Sequence, residues 1–230
     1  MKKNTILQNI LQHRILIAAR GLKEDEVLHF CEAILAGGLH LIEIPYNQLS
    51  PTALTDVPRQ IESIRAHFGD SLAVGAGTVL TCAQVKAAAD AGASFILSPS
   101  LDANVIQETL AHSLVSIPGV MTPTEAQNAM LWGADMVKIF PTGVLGISYL
   151  KAIRVPLNHI PMIAMGGANE ENLKDFLQVC EGVGIGNAIC NRALLDEKNY
   201  SEISRRAKAF SIQLESLQPT PPHNKKLCFF

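Results

Sequence analysis

Met136-Val137-Lys138-Ile139-Phe140-Pro141 is an apolar run of six residues with a single ammonium in its middle. Short, rich in aliphatic residues and stopped by proline, such a run reads as a strand of a parallel sheet covered on both faces. Seven more runs of this kind follow the same logic: Ile15 to Arg20, Leu41 to Pro45, Leu72 to Thr78, Phe95 to Pro99, Val115 to Val120, Met162 to Gly167 and Val183 to Ile189. Between them the apolar residues take helical spacing, as in Val27, Leu28, Cys31, Ile34 and Leu35, or Leu173, Phe176 and Leu177. Successive runs lie roughly 20 to 30 residues apart, the length of one strand-plus-helix unit. Eight such units predict an α/β fold, a (β/α)8 TIM barrel. A doubly wound open sheet is the competing architecture, but no Gly-x-Gly-x-x-Gly follows the first run, and even repeats close more naturally than they splay.

The ends of the units carry their own signals. Thr122-Pro123-Thr124-Glu125 is a capping box with proline at the first helical position, and Asn169 can cap the helix after Gly166-Gly167. Pro58 falls inside the helical stretch from Pro51 to Phe68 and predicts a kink or a late start. Ahead of the first strand, Ile6, Leu7, Ile10 and Leu11 line one face of a short N-terminal amphipathic helix. After the last strand, Ile203, Ala207, Phe210, Leu214 and Leu217 mark a C-terminal helix that should cover the outside of the barrel and end near Gln218. Residues 1–218 are therefore read as one barrel domain. The segment 219–230, polar and holding three prolines, is read as a flexible tail.

Composition excludes several function classes. In 230 residues the formal net charge is −2, nearly half the residues are apolar, and no basic block occurs. Neither a nucleic-acid surface nor a polybasic membrane patch is expected. Asn4, Gln8, Asn9, Gln12, His13 and Arg14 interrupt every candidate signal-peptide core, and no segment approaches the roughly 18 uninterrupted apolar residues of a membrane span. The five cysteines are scattered, odd in number and without a CxxC pair, which fits free thiols in a reducing compartment, so a cytoplasmic protein is expected. No His-x-His or His-x-x-x-His occurs, so no metal is expected; Gly-x-Ser-x-Gly and a Gly-Lys-Ser/Thr phosphate loop are also missing.

In a barrel of this kind the active site forms where the C-terminal ends of the strands meet. Lys138 has two readings. An apolar pocket can lower its pKa until a neutral amine is available to form a Schiff base with a carbonyl, or it snorkels from an edge or pairs with a carboxylate. Glu43, in Leu41-Ile42-Glu43-Ile44-Pro45, is an acid embedded in the second strand as Lys138 is in the sixth. Alternate strands supply one interior layer, so the two can face each other across the mouth, as amine and proton shuttle or as a buried ion pair. Arg20 ends the first strand and is either a two-pronged anion clamp or a surface arginine. Gly75-Ala76-Gly77-Thr78 ends the third, where glycine lets backbone approach a ligand and Thr78 offers amide and hydroxyl donors; a plain turn is the other reading. Gly166-Gly167 and Gly184-Ile185-Gly186-Asn187 lie on the last two strands, where barrels often bind phosphate.

These stretches resemble the 2-keto-3-deoxy-6-phosphogluconate and 6-phosphogalactonate aldolases, a family that includes 4-hydroxy-2-oxoglutarate aldolases. The matching residues are Ala19-Arg20-Gly21, Glu43-Ile44-Pro45 with Asn47, Gly75-Ala76-Gly77-Thr78-Val79-Leu80, Ser98-Pro99, Pro118-Gly119, Thr122-Pro123-Thr124-Glu125-Ala126, Val137-Lys138-Ile139-Phe140-Pro141 and Gly166-Gly167. The resemblance implies a class I aldolase without metal or cofactor. Lys138 would form the imine, Glu43 transfer protons, Thr78 with Arg20 and Pro99 line the pyruvate end, and Gly166, Gly167 and Gly186 receive the phosphate. Asn47 stands where the phosphogluconate branch has arginine, which resembles the phosphogalactonate branch, and Asn187 replaces a serine near the phosphate. The family further implies a homotrimer acting on a phosphorylated keto acid. Another phosphate-binding barrel enzyme, such as a sugar-phosphate epimerase or a thiamin-phosphate-synthase-like enzyme, and a non-catalytic phosphosugar-binding barrel are the alternatives.

Overall fold

The computed structural model describes residues 2–217. Its strands are β1 (Ile15–Ala18), β2 (Leu41–Pro45), β3 (Ala73–Gly77), β4 (Phe95–Leu97), β5 (Val115–Ile117), β6 (Gly119–Val120), β7 (Val137–Ile139), β8 (Met162–Met165) and β9 (Gly182–Ile185). The helices are α1 (Lys3–His13), α2 (Val27–Ala36), α3 (Ala53–Phe68), α4 (Cys82–Asp90), α5 (Ala103–Ala111), α6 (Pro123–Leu131), α7 (Thr142–Arg154), α8 (Leu173–Val179), α9 (Arg192–Asp196) and α10 (Tyr200–Glu215). All strand pairs are parallel, in the order β5-β4-β3-β2-β1-β9-β8-β7-β6.

The two ends of that order are one chain segment. The single run expected from Val115 to Val120 divides at Pro118: β5 pairs with β4, and β6 pairs with β7. Proline has no N–H for a ladder, while its carbonyl still accepts from the Lys138 amide at 2.8 Å. The break therefore closes the ring, and the eightfold barrel is the architecture adopted. Gly119 is needed at this junction, because a Cβ there would lie 2.4 Å from the Pro99 carbonyl.

Side chains alternate between the two faces of each strand. Leu16, Leu41, Phe95, Leu97, Val115, Ile117, Met136, Ile163 and Met165 form the interior cluster, joined by Ile6 and Ile10 of α1. Because α1 runs directly into β1, it plugs the N-terminal end and leaves the opposite mouth open. Ile42, Ile44, Val137 and Ile139 belong instead to the layer between strands and helices. Fully burying a side chain of this size contributes about 1.5–3 kcal/mol.

At the outside, Ile203, Ala207 and Phe210 of α10 are buried. They dock on α2 beside Gly37, whose missing Cβ would otherwise sit 2.4 Å from that of Ala207. The C-terminal helix ends at Glu215, and the expected tail, Cys228 included, lies outside the described residues.

Three local expectations resolve in detail. Thr122 and Glu125 form the capping box reciprocally, with Pro123 in the first turn. Asn169 Oδ1 accepts from the amides of Glu171 and Asn172, capping the turn that leads into α8. Pro58 neither delays nor ends α3. The bond it forgoes belongs to the Leu54 carbonyl, on a residue 51% exposed, where water can replace it.

Candidate active site

The alternation that buries Leu41 and Met136 inside the barrel also turns Glu43 and Lys138 inward, since each lies two residues further along its strand. Both are enclosed: Lys138 is 2% exposed and Glu43 1%. Burial pulls the Lys138 ammonium below the ordinary lysine range; Glu43 opposes that shift and the Arg20 charge adds to it. Burial pushes the Glu43 carboxyl up, against the pull of Lys138 and Arg20. Each group perturbs the other, so they share one interior, and burial shifts each toward its uncharged form.

Among the described residues no group satisfies Glu43 Oε2, which is buried without a hydrogen-bond partner. An orphaned oxygen in a barrel interior is costly unless something else comes to it. Gly77 makes the space: a Cβ there would fall 1.8 Å from Oε2. Lys138 Nζ lies 5.0 Å from the centre of the Phe140 ring, within cation–π range.

The remaining expected residues ring the mouth. Arg20 is exposed in the turn after β1, electrostatically coupled to both Lys138 and Glu43. That turn is anchored by Arg192, which donates to the Gly21 carbonyl at 3.0 Å and is paired with buried Glu26. Thr78 follows β3 at φ 54°, a left-handed conformation. Pro99, after β4, lines a small cleft of about 330 Å³ with Gly119, Glu125 and Phe140. Asn47 is exposed in the loop after β2, its Oδ1 accepting from the Leu49 amide.

Gly166 and Gly167 follow β8 at φ 95° and 87°. The Gly166 carbonyl accepts from the Gly143 amide at 2.6 Å and from Thr142 Oγ1 at 3.0 Å. These glycines line a cleft of about 550 Å³ shared with Thr142, Gly143 and Val144. Gly167 and Gly143 touch so closely that a Cβ on Gly167 would lie 2.7 Å from the Gly143 Cα.

The family model for KDPG and KHG aldolase matches residues 6–206. The chain belongs to that family. It is 33% identical over 193 residues to the 2-dehydro-3-deoxy-6-phosphogalactonate aldolase of Escherichia coli (strain K12), covering 83% of this chain and 91% of the relative. A native KDPGal structure superposes with a TM-score of 0.79 at 31% identity, covering 87% of this chain and 94% of that one. The KDPG aldolase of Legionella pneumophila, solved with pyruvate captured as a covalent carbinolamine, matches with a TM-score of 0.78 at 27% identity over 87% of this chain and 96% of that one.

Within this aldolase-family barrel, Lys138, Glu43, Arg20 and Gly77-Thr78 come together, while Gly166 and Gly167 border the cleft that opens beyond Phe140-Pro141. Gly186 and Asn187 sit in the turn after β9, shorter as a strand than its sequence run, and do not line that cleft. Sequence reasoning passed over Thr142 and Gly143, although a Thr-Gly pair directly after the lysine strand was a signal for a ligand-facing helix start. It also passed over Phe140, which shares the parity of Lys138, Gln84, for which the capping-box pattern Thr81-Cys82-Ala83-Gln84 was a signal, and Gln48, which carried none.

Three buried thiols offer no competing nucleophile. Burial pushes Cys180 and Cys190 up to about 12 and raises Cys31 as well. Among the described residues, no group of three or more His, Cys, Asp or Glu side chains is placed to hold a metal ion, and no helix is long and apolar enough to cross a membrane.

Proposed function

We propose that this chain is a class I aldolase that cleaves a 2-keto-3-deoxy-6-phospho-sugar acid to pyruvate and glyceraldehyde 3-phosphate, with 4-hydroxy-2-oxoglutarate as a further substrate. One observation carries the reading: a buried lysine whose pKa is drawn down shares the barrel interior with a buried carboxyl whose Oε2 has no partner.

The neutral Lys138 amine attacks the C2 ketone, and a proton from the Glu43 carboxyl leaves with the carbinolamine hydroxyl as water, giving a protonated imine and the Glu43 carboxylate. Glu43 as carboxylate takes the C4 hydroxyl proton. The C3–C4 bond then breaks, its electrons pass into the imine to form an enamine, and the aldehyde leaves. The proton now on Glu43 goes to C3, and water adds to the imine carbon, releasing pyruvate, the neutral amine and a proton that returns to Glu43. Arg20 and Thr78 bind the carboxylate end, with Pro99 packing beside it. Gly166 and Gly167 receive the phosphate on backbone amides, and Gly186 and Asn187, in the turn after the adjacent strand β9, flank that site without lining its cleft. Asn47, in place of arginine, supports the phosphogalactonate epimer as the better substrate.

Borohydride added with pyruvate is expected to leave a stable three-carbon adduct on Lys138, read by peptide mass mapping. An adduct on another lysine, with Lys138 unmodified, would overturn the role assignment. The phosphate assignment has its own test. Gly167→Ala puts a side chain at positive φ and against Gly143, so it should raise the KM for the phosphorylated substrate by about tenfold or more. Cleavage of 4-hydroxy-2-oxoglutarate, which has no phosphate, should change by less than about twofold. Equal losses on both substrates would place Gly167 outside phosphate binding.

The reading extends to a cytoplasmic homotrimer. The free thiols of Cys31, Cys82, Cys180 and Cys190 fit a reducing compartment, and sedimentation equilibrium at three times the 24.8 kDa chain mass tests the assembly.

A further inference from the structure

Thr78 is a β-branched residue at φ 54°. That region is strongly disfavoured for such a side chain and persists only where the surroundings over-determine it. Here both flanking peptide planes are pinned. On one side the Gly77 carbonyl accepts from the Tyr46 amide at 2.8 Å. On the other, the Val79 amide donates to the Leu97 carbonyl at 3.1 Å, and the Thr78 carbonyl accepts from Gln48 Nε2 at 2.7 Å.

Gln48 is exposed, and what fixes it is Gln84, only 6% exposed. Gln84 Nε2 donates to Gln48 Oε1 at 2.9 Å, while its own Oε1 accepts from the Leu80 amide at 2.7 Å. Because only an oxygen can accept from an N–H, the Leu80 bond sets which way the carboxamide points. The backbone of Gln84 is held too, its carbonyl by the Tyr46 hydroxyl at 3.0 Å and its amide by Thr81 Oγ1 at 3.2 Å.

Thr81-Cys82-Ala83-Gln84 has the pattern of a capping box, in which the third helical side chain returns to the capping residue's own amide. Here the return bond goes one residue further back, to Leu80, and the spare N–H of the carboxamide is directed to Gln48. Among the described residues, the Thr78 amide N–H and hydroxyl make no hydrogen bond. They are left uncommitted beside Gly77, which abuts Glu43.

We infer that Gln84 is a positioning residue for keto-acid recognition: through Gln48 it locks Thr78 in the left-handed turn that keeps the Thr78 amide and hydroxyl free for the substrate carboxylate. The inference rests on the aldolase reading, in which Thr78 meets the pyruvate end. It also joins the carboxylate-binding turn to the loop bearing Asn47, so the two ends of substrate recognition share one strut.

The test traps pyruvate on the full-length protein with borohydride over a range of pyruvate concentrations. Gln48→Ala and Gln84→Leu should each raise the half-saturating concentration on the order of tenfold, while adduct formation at saturation stays within about twofold of the parent. In a Thr78→Gly background neither should have any further effect, because glycine adopts positive φ without a clamp. Gln48→Ala alone keeps the inference testable should Gln84→Leu fail to fold. An unchanged half-saturation in Gln48→Ala, or full additivity with Thr78→Gly, overturns it. A parent protein that gives no Lys138 adduct at all overturns the aldolase reading itself and is distinguishable from both.

Discussion

Lys138→Met is expected to lower pyruvate release by at least about four orders of magnitude and to abolish borohydride labelling by pyruvate, since among the described residues Lys138 is the one buried lysine. Lys138→Arg should be equally inactive despite keeping the charge, because a guanidinium does not surrender its proton near neutrality. Stability should move the other way. Burial, the larger influence, holds the folded-state pKa of Lys138 below its unfolded value, so between the two values the unfolded chain binds more protons than the native one. Native stability in that window rises with pH, and at neutral pH the buried amine opposes folding. Removing it should leave the melting temperature unchanged or higher. The Glu43 carboxyl, already pushed up by burial, would then lose the larger of the two cationic influences that oppose this, leaving Arg20, and protonate more readily rather than stay buried as a charge. Activity surviving in Lys138→Met would instead assign the barrel to phosphate-binding enzymes that need no imine. A folded but inactive variant whose melting point falls by several degrees would make Lys138 a structural residue.

Much of this was legible in the sequence because barrel geometry follows from periods. Leu41 and Glu43, like Met136 and Lys138, differ by two, so once their runs are strands of a covered sheet, both charged groups must share the face of their apolar neighbours. The Thr122 capping box is equally local. The break at Pro118 was legible only in part, since Pro118-Gly119 interrupts the run from Val115 to Val120 but the division depends on which neighbour each half pairs with. The left-handed Thr78 was hidden for a stronger reason. Its conformation is imposed by Gln48, 30 residues away in sequence, itself steered by Gln84 from a third element. Gly186 and Asn187 show the converse limit: a glycine pattern marks a turn, while the cleft is lined by Gly143 and Thr142 from a different strand's exit.

Gly77→Ala is the second large effect, and it separates the identity of the acid from its placement. The methyl would lie 1.8 Å from Glu43 Oε2 and 2.4 Å from Cδ, so either the carboxylate leaves its site or β3 shifts. Overpacking of this kind costs about 1–3 kcal/mol, which for a chain of this length lowers the melting temperature by roughly 2–12 °C. The loss of positioned acid–base catalysis should lower kcat by about 10²–10⁴, close to the effect of Glu43→Gln, although the glutamate is still present. In both variants pyruvate should still be trapped on Lys138, more slowly, because the amine is untouched. Exchange of the pyruvate methyl protons with deuterated water, which needs a base at C3, should be lost in both. Glu43→Ala removes the atoms that the new methyl would strike. In that background Gly77→Ala should therefore have almost no further effect on melting temperature or on residual activity. Undiminished exchange in Gly77→Ala, or a double variant no more stable than the additive sum, would mean that the proton at C3 is handled by a group other than Glu43 and that the glycine serves the packing of β3 alone.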